Sequence, residues 1–221
     1  IPNEIAHVTK EVDTVHYDVT AIIKRLGALK KFPILIFERP LNLHGKVSKF
    51  KLVMNCEISQ RKAQIALGLP KEMSRSQMAE ASLEMEEHRI PPVVVDKREA
   101  PVKEVVKVGR DVDLYELPIM RHHEMDGGPY ITLSTVSRDR KSGIYNCSYH
   151  RMEVKSKNTT ACHASPRHLW RIFRDYEEHN LECPVATVLG HHPAYHMGAC
   201  YIGPFEVSEY DVIGGYLREP S

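Results

Sequence analysis

Hydrophobic residues recur at helical spacing in the first part of the chain. The segment 17–31 has one apolar face, which predicts an amphipathic helix. The residues of that face are Val19, Ile22, Ile23 and Leu26. Helices are also predicted over 59–67 and 74–88, because each opens on a serine suited to an N-cap and is rich in helix formers. Short apolar runs at 33–37 and 50–54 predict strands. Residues 1–100 are therefore expected to form an α+β lobe.

Further on, the pattern changes to short β-branched runs separated by glycines. The strands predicted from it are 92–95, 102–108, 130–136, 144–154 and 158–164. Short strands between turn residues are typical of barrels and sandwiches. The expected fold class is therefore α+β, with a β-rich domain over 101–221 following the N-terminal lobe.

One helix interrupts the β-rich domain. Ser165 suits an N-cap and Pro166 the first helical position. The buried stripe that follows is Leu169, Ile172, Phe173 and Tyr176. His168 lies off that stripe in the first turn, beside Arg167. Because the positive end of the helix dipole lies there, the sequence predicts an anion site suited to a phosphate.

Composition narrows the classes of partner. The 221 residues are 42% hydrophobic, and 30 basic against 29 acidic residues leave a net charge of +1. Such a balance provides no electrostatic footprint for nucleic acid or an anionic membrane surface. The five cysteines are odd in number and form no C-x-x-C pair, which favours a reducing cytoplasm over a disulfide scaffold or zinc ribbon.

The chain contains no apolar run of the roughly 18–20 residues that a membrane helix needs. It begins at Ile1-Pro2 without methionine and stops at Ser221. We therefore expect a cytoplasmic protein, and we expect these 221 residues to be part of a longer polypeptide.

Thirteen histidines raise the question of a metal centre. Several of them cluster near prolines and glycines in predicted loops, namely His122, His123, His191, His192 and His196. Adjacent histidines in a strand point to opposite sides, and the chain has no H-E-x-x-H or H-x-x-E-H spacing. Zinc hydrolysis is therefore weakly supported.

Asn146 and Arg151 lie in the predicted strand 144–154. An asparagine after the Ser142-Gly143 hairpin tip is by default a turn residue, but its oxygen also suits manganese or magnesium. Arg151 is by default solvated or ion-paired, although its planar fork is the best partner for a substrate carboxylate. Because the two are five positions apart, strict alternation places them on opposite faces. A bulge or bend is needed if both serve one site.

Glu209 is the candidate carboxylate. It precedes Gly214-Gly215, which we expect to form a turn, so a surface glutamate is the default interpretation. Glu206 and Asp211 compete for the same role.

Several motifs together resemble the UbiD family of reversible decarboxylases, which use prenylated FMN. They are Leu117-Pro-Ile-Met-Arg-His-His123, Asp126-Gly-Gly-Pro-Tyr-Ile131, Asn146 to Arg151, Asn158-Thr-Thr160, Ser165-Pro-Arg-His168, Gly190-His-His-Pro-Ala194 and Glu209 to Gly215. The similarity covers nearly the whole chain, and the motifs agree in order.

The resemblance implies a split β-barrel of the flavin-reductase type. It implies that Asn146, His168 and Glu209 ligate a manganese-like divalent ion that bridges to the flavin phosphate, with a potassium ion nearby. It also implies that Arg151 lies beside the isoalloxazine. The other implied cofactor-contacting residues are Tyr149, His150, Ala164 and Arg167.

The implied reaction is non-oxidative loss or gain of CO2 on an aromatic, heteroaromatic or α,β-unsaturated carboxylic acid. Arg151 would hold the carboxylate, and a flavin prenyltransferase would supply the cofactor. In the family, the acidic partners of the arginine lie on a later strand, and a C-terminal lobe that follows it makes much of the oligomer interface. We therefore expect the 221-residue chain alone to be inactive and the longer protein to be a homo-oligomer.

Two alternatives stay open. One is an oxidoreductase that binds ordinary FMN on the same barrel, although no G-x-G-x-x-G motif accompanies it. The other is a non-catalytic subunit that keeps the fold without the chemistry.

Overall fold

A computed structural model describes residues 4–57 and 59–221 as a mixed α+β structure with two β-sheets. The elements in chain order are β1 (Ile5–Val12), α1 (Asp18–Ala28), β2 (Ile34–Pro40), β3 (Leu52–Met54), α2 (Gln60–Ala66), α3 (Arg75–Glu87), β4 (Tyr130–Arg138), β5 (Tyr145–Ser156), β6 (Thr159–His163), α4 (His168–Glu178), β7 (Val185–Val188), α5 (Pro193–Gly198) and α6 (Glu209–Leu217). Short 3-10 turns lie at Pro101–Lys103, Gly109–Asp111 and Leu114–Glu116.

The chain forms two compact units that alternate along the sequence. Unit 1 draws on 1–58, 102–131 and 152–162, and unit 2 on 59–101, 132–151 and 163–221. Strands β4 and β5 each contribute residues to both units. The predicted domains, 1–100 and 101–221, are continuous stretches of sequence, whereas each unit combines separate segments. The predicted boundary stays a prediction.

Unit 1 contains the sheet β1-β2-β3, in which β1 runs parallel and β3 antiparallel to β2. The predicted helix over 17–31 is α1, and it supplies the crossover between the two parallel strands. Its Val19 is buried with Leu35 and Phe37 of β2. Burial of such side chains contributes about 1.5–3 kcal/mol each. β1 is absent from the predictions, although Ala6 and Val8 alternate with exposed His7 and Thr9 as in a half-buried strand.

In unit 2, serine caps begin the predicted helices α2 and α3. Ser59 accepts a hydrogen bond from Lys62 N–H, and Ser74 forms a capping box with Gln77. A core of buried side chains joins these helices to α5 and α6, and its members are Leu67, Leu69, Met85, Ala194, Val212 and Tyr216.

The expected turn at Gly214-Gly215 is wrong, because both residues are inside α6. A Cβ atom on Gly214 would collide with the carbonyl oxygen of Ile90, and one on Gly215 with that of Met85. The two glycines allow the helix to lie directly against neighbouring backbone. Their role is close packing rather than chain reversal.

The second sheet has the strand order β6-β5-β4-β7, and three of its strands were predicted. The strands predicted at 92–95 and 102–108 are wrong: these segments carry no strand, and Val94 is 92% exposed. Valine favours strands only where a neighbouring strand covers it. β7 and α5 were not predicted, and α5 occupies a stretch expected to be a loop.

Helices long and apolar enough to cross a membrane are absent from the described residues. No disulfide joins cysteines among the described residues.

Candidate functional site

Asn146 belongs to a hydrogen-bonded row on one face of β5. Its Oδ1 lies 3.1 Å from Ser148 Oγ, which lies 2.9 Å from His150 Nε2. Residues at i, i+2 and i+4 of a strand share a face, so all three side chains point to the same side. Cys147 and Tyr149 point to the other side, where they contact Tyr195 and His196 of α5.

The hydroxyl of Ser148 has one hydrogen and two acceptors. His150 Nδ1 lies 3.3 Å from the carbonyl oxygen of His163, so it carries the ring hydrogen. Burial lowers the pKa of His150, so the neutral ring offers Nε2 as an acceptor. Asn146 Oδ1 accepts at most this one hydrogen, so its second lone pair is available to a cation. Sequence reasoning missed Ser148, although its place two residues after Asn146 was a usable signal.

Glu209 is buried beside Asn146, contrary to the default expectation of a surface residue. It is the first residue of α6 and is 3% exposed. Asn146 Nδ2 donates to its Oε1 at 2.8 Å, and the backbone N–H of Cys147 donates to its Oε2 at 2.8 Å. The competing carboxylates are more open: Glu206 is exposed and Asp211 half-buried.

Burial raises the pKa of Glu209. Hydrogen bonds from Cys147, from its own backbone and from Asn146, together with the charge of His168, act in the opposite direction without cancelling the effect. A buried carboxylate with amide partners lacks a full positive counter-charge. A bound cation would supply that charge.

His168 is the first residue of α4, and its Nδ1 lies 3.8 Å from Glu209 Oε1. The predicted N-cap Ser165 is wrong. Arg167 N–H instead bonds to the Ser165 carbonyl at 2.7 Å, and this turn delays the helix until Arg167 is the cap residue. In the described part of the chain no side chain caps this terminus. Leu169 and Ile172 of the predicted stripe are buried. Their burial anchors the first turns of α4 and so positions His168 at the start of the helix.

The structure does not bring Arg151 to this cluster. Asp139 N–H bonds to Ile144 O near one end of the β4–β5 pair, and Val154 N–H bonds to Pro129 O near the other end. Between these two hydrogen bonds each strand advances by ten residues, so neither strand has an extra residue. The strand register therefore contains no net bulge, and alternation places Arg151 on the face opposite Asn146. Arg151 is exposed, and among residues 4–57 and 59–221 no ion pair joins it to Glu209.

The remaining predicted cofactor contacts have mixed surroundings. Tyr149 bonds through its hydroxyl to His196 Nδ1, and both residues are half-buried. Ala164 is half-buried and Arg167 exposed, both just before α4.

The clustered histidines do not form a metal centre of their own. Across the described residues, no three His, Cys, Asp or Glu side chains meet at a point that could hold an ion. His192 caps α5, and His191 stacks on His196 with ring centroids 4.0 Å apart. His196 lies inside α5, whereas His191 and His192 lie in the preceding loop, as predicted.

An amide, an imidazole and a carboxylate thus meet at one point. A buried carboxylate without a full counter-charge and an incompletely satisfied amide oxygen suit a hard or intermediate divalent ion such as manganese. The donor set therefore fits the metal that the resemblance implies.

Several curated relatives of this chain are named as decarboxylases. The phenolic acid decarboxylase of Streptomyces sp. strain D7 is 31% identical over 213 residues, covering 92% of this chain and 44% of the relative. The anhydromevalonate phosphate decarboxylase of Methanosarcina mazei is 35% identical over 155 residues, covering 70% of this chain and 34% of the relative. The chain thus spans less than half the length of these relatives.

Solved structures share the fold. The UbiD-class enzyme HmfF from Pelotomaculum thermopropionicum in complex with FMN matches with a TM-score of 0.86 at 30% identity, over 98% of this chain and 46% of its own. Its evolved dimeric form in complex with prFMN matches equally well at 29% identity, over 98% of this chain and 48% of its own. The closed form of Sedimentibacter hydroxybenzoicus vanillic acid decarboxylase matches with a TM-score of 0.86 at 26% identity, over 97% of this chain and 46% of its own.

Two family models cover most of the sequence. The 3-octaprenyl-4-hydroxybenzoate carboxy-lyase N-terminal domain matches residues 2–82, and the Rift-related domain of the same family matches residues 93–221. With more than half of its length matched in this way, the chain belongs to the UbiD family.

Proposed function

We propose that this chain provides the metal and flavin-phosphate site of a prenylated-FMN-dependent decarboxylase or carboxylase. The substrate class is an aromatic, heteroaromatic or α,β-unsaturated carboxylic acid. Family membership supports the reaction type, and the relatives named as phenolic acid decarboxylases support the aromatic substrates. The solved HmfF complex with prFMN supports the cofactor.

The observation that carries this proposal is the buried contact of Asn146 with Glu209, with His168 beside it. These three side chains would hold the divalent ion, for which manganese is the best candidate. Glu209 contributes the negative charge, while Asn146 and His168 contribute neutral donors. The open N-terminus of α4 and the guanidinium of Arg167 would bind the flavin phosphate.

Arg151 would bind the substrate. Its exposed guanidinium can take a carboxylate in a two-pronged hydrogen bond, which fixes the acid and favours its charged form. When bound, the prenylated flavin would supply the electron sink for loss of CO2. Tyr149, His150 and Ala164 are proposed to contact the cofactor near Arg151.

Further features of the longer protein follow from the same proposal. We infer a split barrel of the flavin-reductase type around the second sheet, a potassium ion near the phosphate and a homo-oligomeric assembly. We infer a cytoplasmic location, with a flavin prenyltransferase in the same cell as the source of cofactor. The proton donor would lie outside the 221 residues, so the isolated chain should bind ligands without turnover.

Metal binding tests the site without any need for turnover. Free Mn2+ has a strong electron paramagnetic resonance signal that protein binding suppresses, so titration gives a dissociation constant. We expect Asn146→Ala and Glu209→Gln to weaken binding sharply, while the exposed Glu206→Gln serves as the matched control. Equal affinity in Glu209→Gln and Glu206→Gln would show that the ion binds elsewhere.

A further inference from the structure

Phe205 lies where the elements carrying the three proposed ligands meet. It belongs to the segment 199–208 between α5 and α6, four positions before Glu209. Its ring is perpendicular to that of His168, with centroids 5.3 Å apart and an interplanar angle of 88°. The guanidinium of Arg171, one turn along α4, lies 3.9 Å from the centre of the same ring. One half-buried aromatic side chain thus contacts two residues of the first turns of α4.

The imidazole of His168 needs such a contact. It is the first residue of its helix, and its side chain is 31% exposed. Among the described residues its one ion-pair partner is Glu209, at 3.8 Å. A side chain in that position has several accessible rotamers, and only some of them direct a ring nitrogen toward Glu209. Perpendicular aromatic pairs have a favourable geometry that restricts ring orientation.

The same segment is fixed at its other end. Ser208 caps α6, and its hydroxyl donates to the carbonyl oxygen of Tyr145 at 2.9 Å, next to Asn146 in β5. Between them, Val207 N–H bonds to Pro204 O at 3.1 Å and closes a turn. The segment is therefore held to β5 through Ser208 and to α4 through Phe205. One short segment thus contacts both the strand that carries Asn146 and the helix that carries His168.

The contact between Arg171 and Phe205 also bears on the charge near Glu209. A cation held on an aromatic face is partly compensated there and is less available to other anions. Glu209 lies near the same helix, yet within the described residues its only ionisable partner in an ion pair is His168. Arg171 thus has the Phe205 ring as a partner, and among the described residues no ion pair joins it to Glu209.

We propose that Phe205 is a positioning residue of the metal site: its ring orients His168 toward Glu209 and holds Arg171 away from that carboxylate. This inference rests on the proposed metal site of Asn146, His168 and Glu209. Nothing in the sequence pattern indicates the role, because a phenylalanine between Pro204 and Glu206 is an ordinary loop residue.

Mn2+ titration of the purified chain without flavin tests the proposal. Groups that orient metal ligands typically contribute 10- to 100-fold in affinity. We expect Phe205→Ala to weaken Mn2+ binding by about 10-fold. Phe205→Tyr, which keeps the ring, should restore wild-type affinity, and Ile202→Ala at a 79% exposed position of the same segment should have no effect.

A double-mutant cycle separates positioning from a general loss of structure. If Phe205 acts through His168, Phe205→Ala should have little further effect once His168 is alanine. The side-chain 1H–15N spectrum of the histidines gives a second readout, since loss of the ring should shift the His168 signals in the metal-free protein.

The outcomes distinguish the two levels of the argument. A wild-type chain that binds no Mn2+ would overturn the proposed metal site, and the role of Phe205 with it. If the wild type binds Mn2+, two results would overturn the role of Phe205 alone. One is a Phe205→Ala affinity equal to that of the wild type, and the other is a loss of affinity on Phe205→Ala that is as large in the His168→Ala background as in the wild type. Phe205→Leu provides a folded substitute should the alanine variant fail to fold, and it should also bind weakly because it lacks the ring.

Discussion

Helices α4 and α6 both begin with a proposed metal ligand, yet their N-termini differ. At α6, Ser208 caps the helix by accepting from Tyr210 N–H at 3.3 Å, and Glu209 is buried. At α4, the cap position is Arg167, which makes no side-chain cap in the described residues, and His168 is partly exposed. The capped helix is suited to present a fixed anionic ligand. The open helix still has free N–H groups for an external anion, so two similar elements take complementary roles.

The largest expected effect comes from removing the charge at α6. Glu209→Gln should weaken Mn2+ binding by more than about 100-fold, since loss of a ligand should exceed the loss of a group that only supports one. Glu206→Gln is the matched control in an Mn2+ titration. A variant within threefold of wild type would mean that the buried carboxylate does not ligate the ion.

The same substitution should stabilise the metal-free protein. Because burial raises the folded-state pKa of Glu209, its contribution to stability is fully present below the unfolded pKa and is lost as pH rises through the folded value. At pH 7 the ionised carboxylate is therefore destabilising, and the neutral glutamine should raise the melting temperature. Thermal denaturation of the variant and the wild type at pH 7 and at about pH 4 checks this. A difference in melting temperature that does not shrink at the lower pH would contradict it.

A smaller effect is expected at the open helix. Arg167→Ala should weaken binding of a flavin phosphate by up to about 5-fold, because an ion pair made by an exposed arginine typically contributes about 0.2–1 kcal/mol. FMN fluorescence quenching measures the change, and riboflavin, which lacks the phosphate, is the control ligand. If riboflavin binding falls equally, Arg167 does not contact the phosphate.

The cap at α6 should affect stability rather than ligand choice. Ser208→Ala should lower the free energy of unfolding by about 1 kcal/mol. Ser165→Ala, at the serine that does not cap α4, should change it by less than about 0.5 kcal/mol. Urea denaturation of both variants makes the comparison, and equal losses would show that the two termini are not different in the way described.

The smallest effect concerns the far end of α4. Asp175 accepts from Lys141 at 2.7 Å and from Arg140 at 2.9 Å, and these contacts lower its pKa. A lowered carboxyl pKa stabilises the fold above the unfolded value, and that stability is lost as pH falls through the folded value. Asp175→Asn should therefore be less stable than wild type at pH 7 and approach it in acid. A constant difference across this range would exclude the ion pairs as the cause.

Local patterns predicted the elements that carry their own signals. The helices α1, α2 and α3 follow from apolar periodicity and serine caps, and β4, β5 and β6 from β-branched runs bounded by glycines. The valines at 92–95 and 102–108 have the same local pattern and form no strand. Whether a run of valines becomes a strand depends on a partner strand, which is a property of the tertiary structure.

The candidate site shows the same division. Residue spacing alone left Asn146 as a turn residue and Glu209 as a surface carboxylate; only the family resemblance brought them together with His168. The burial of Glu209 depends on the packing of α6 through Gly214 and Gly215, which spacing does not reveal. The contact between Phe205 and His168 joins residues far apart in the chain and has no local signal.

Native mass spectrometry tests the central claim most directly, that Asn146, His168 and Glu209 form the metal and flavin-phosphate site. The protein would be purified after co-expression with a flavin prenyltransferase, beside the Glu209→Gln variant. We predict that the wild type carries a mass increment for prenylated FMN and a divalent ion, and that the variant carries neither. Retention of both ligands by the variant, or their absence from the wild type under these conditions, would contradict the account.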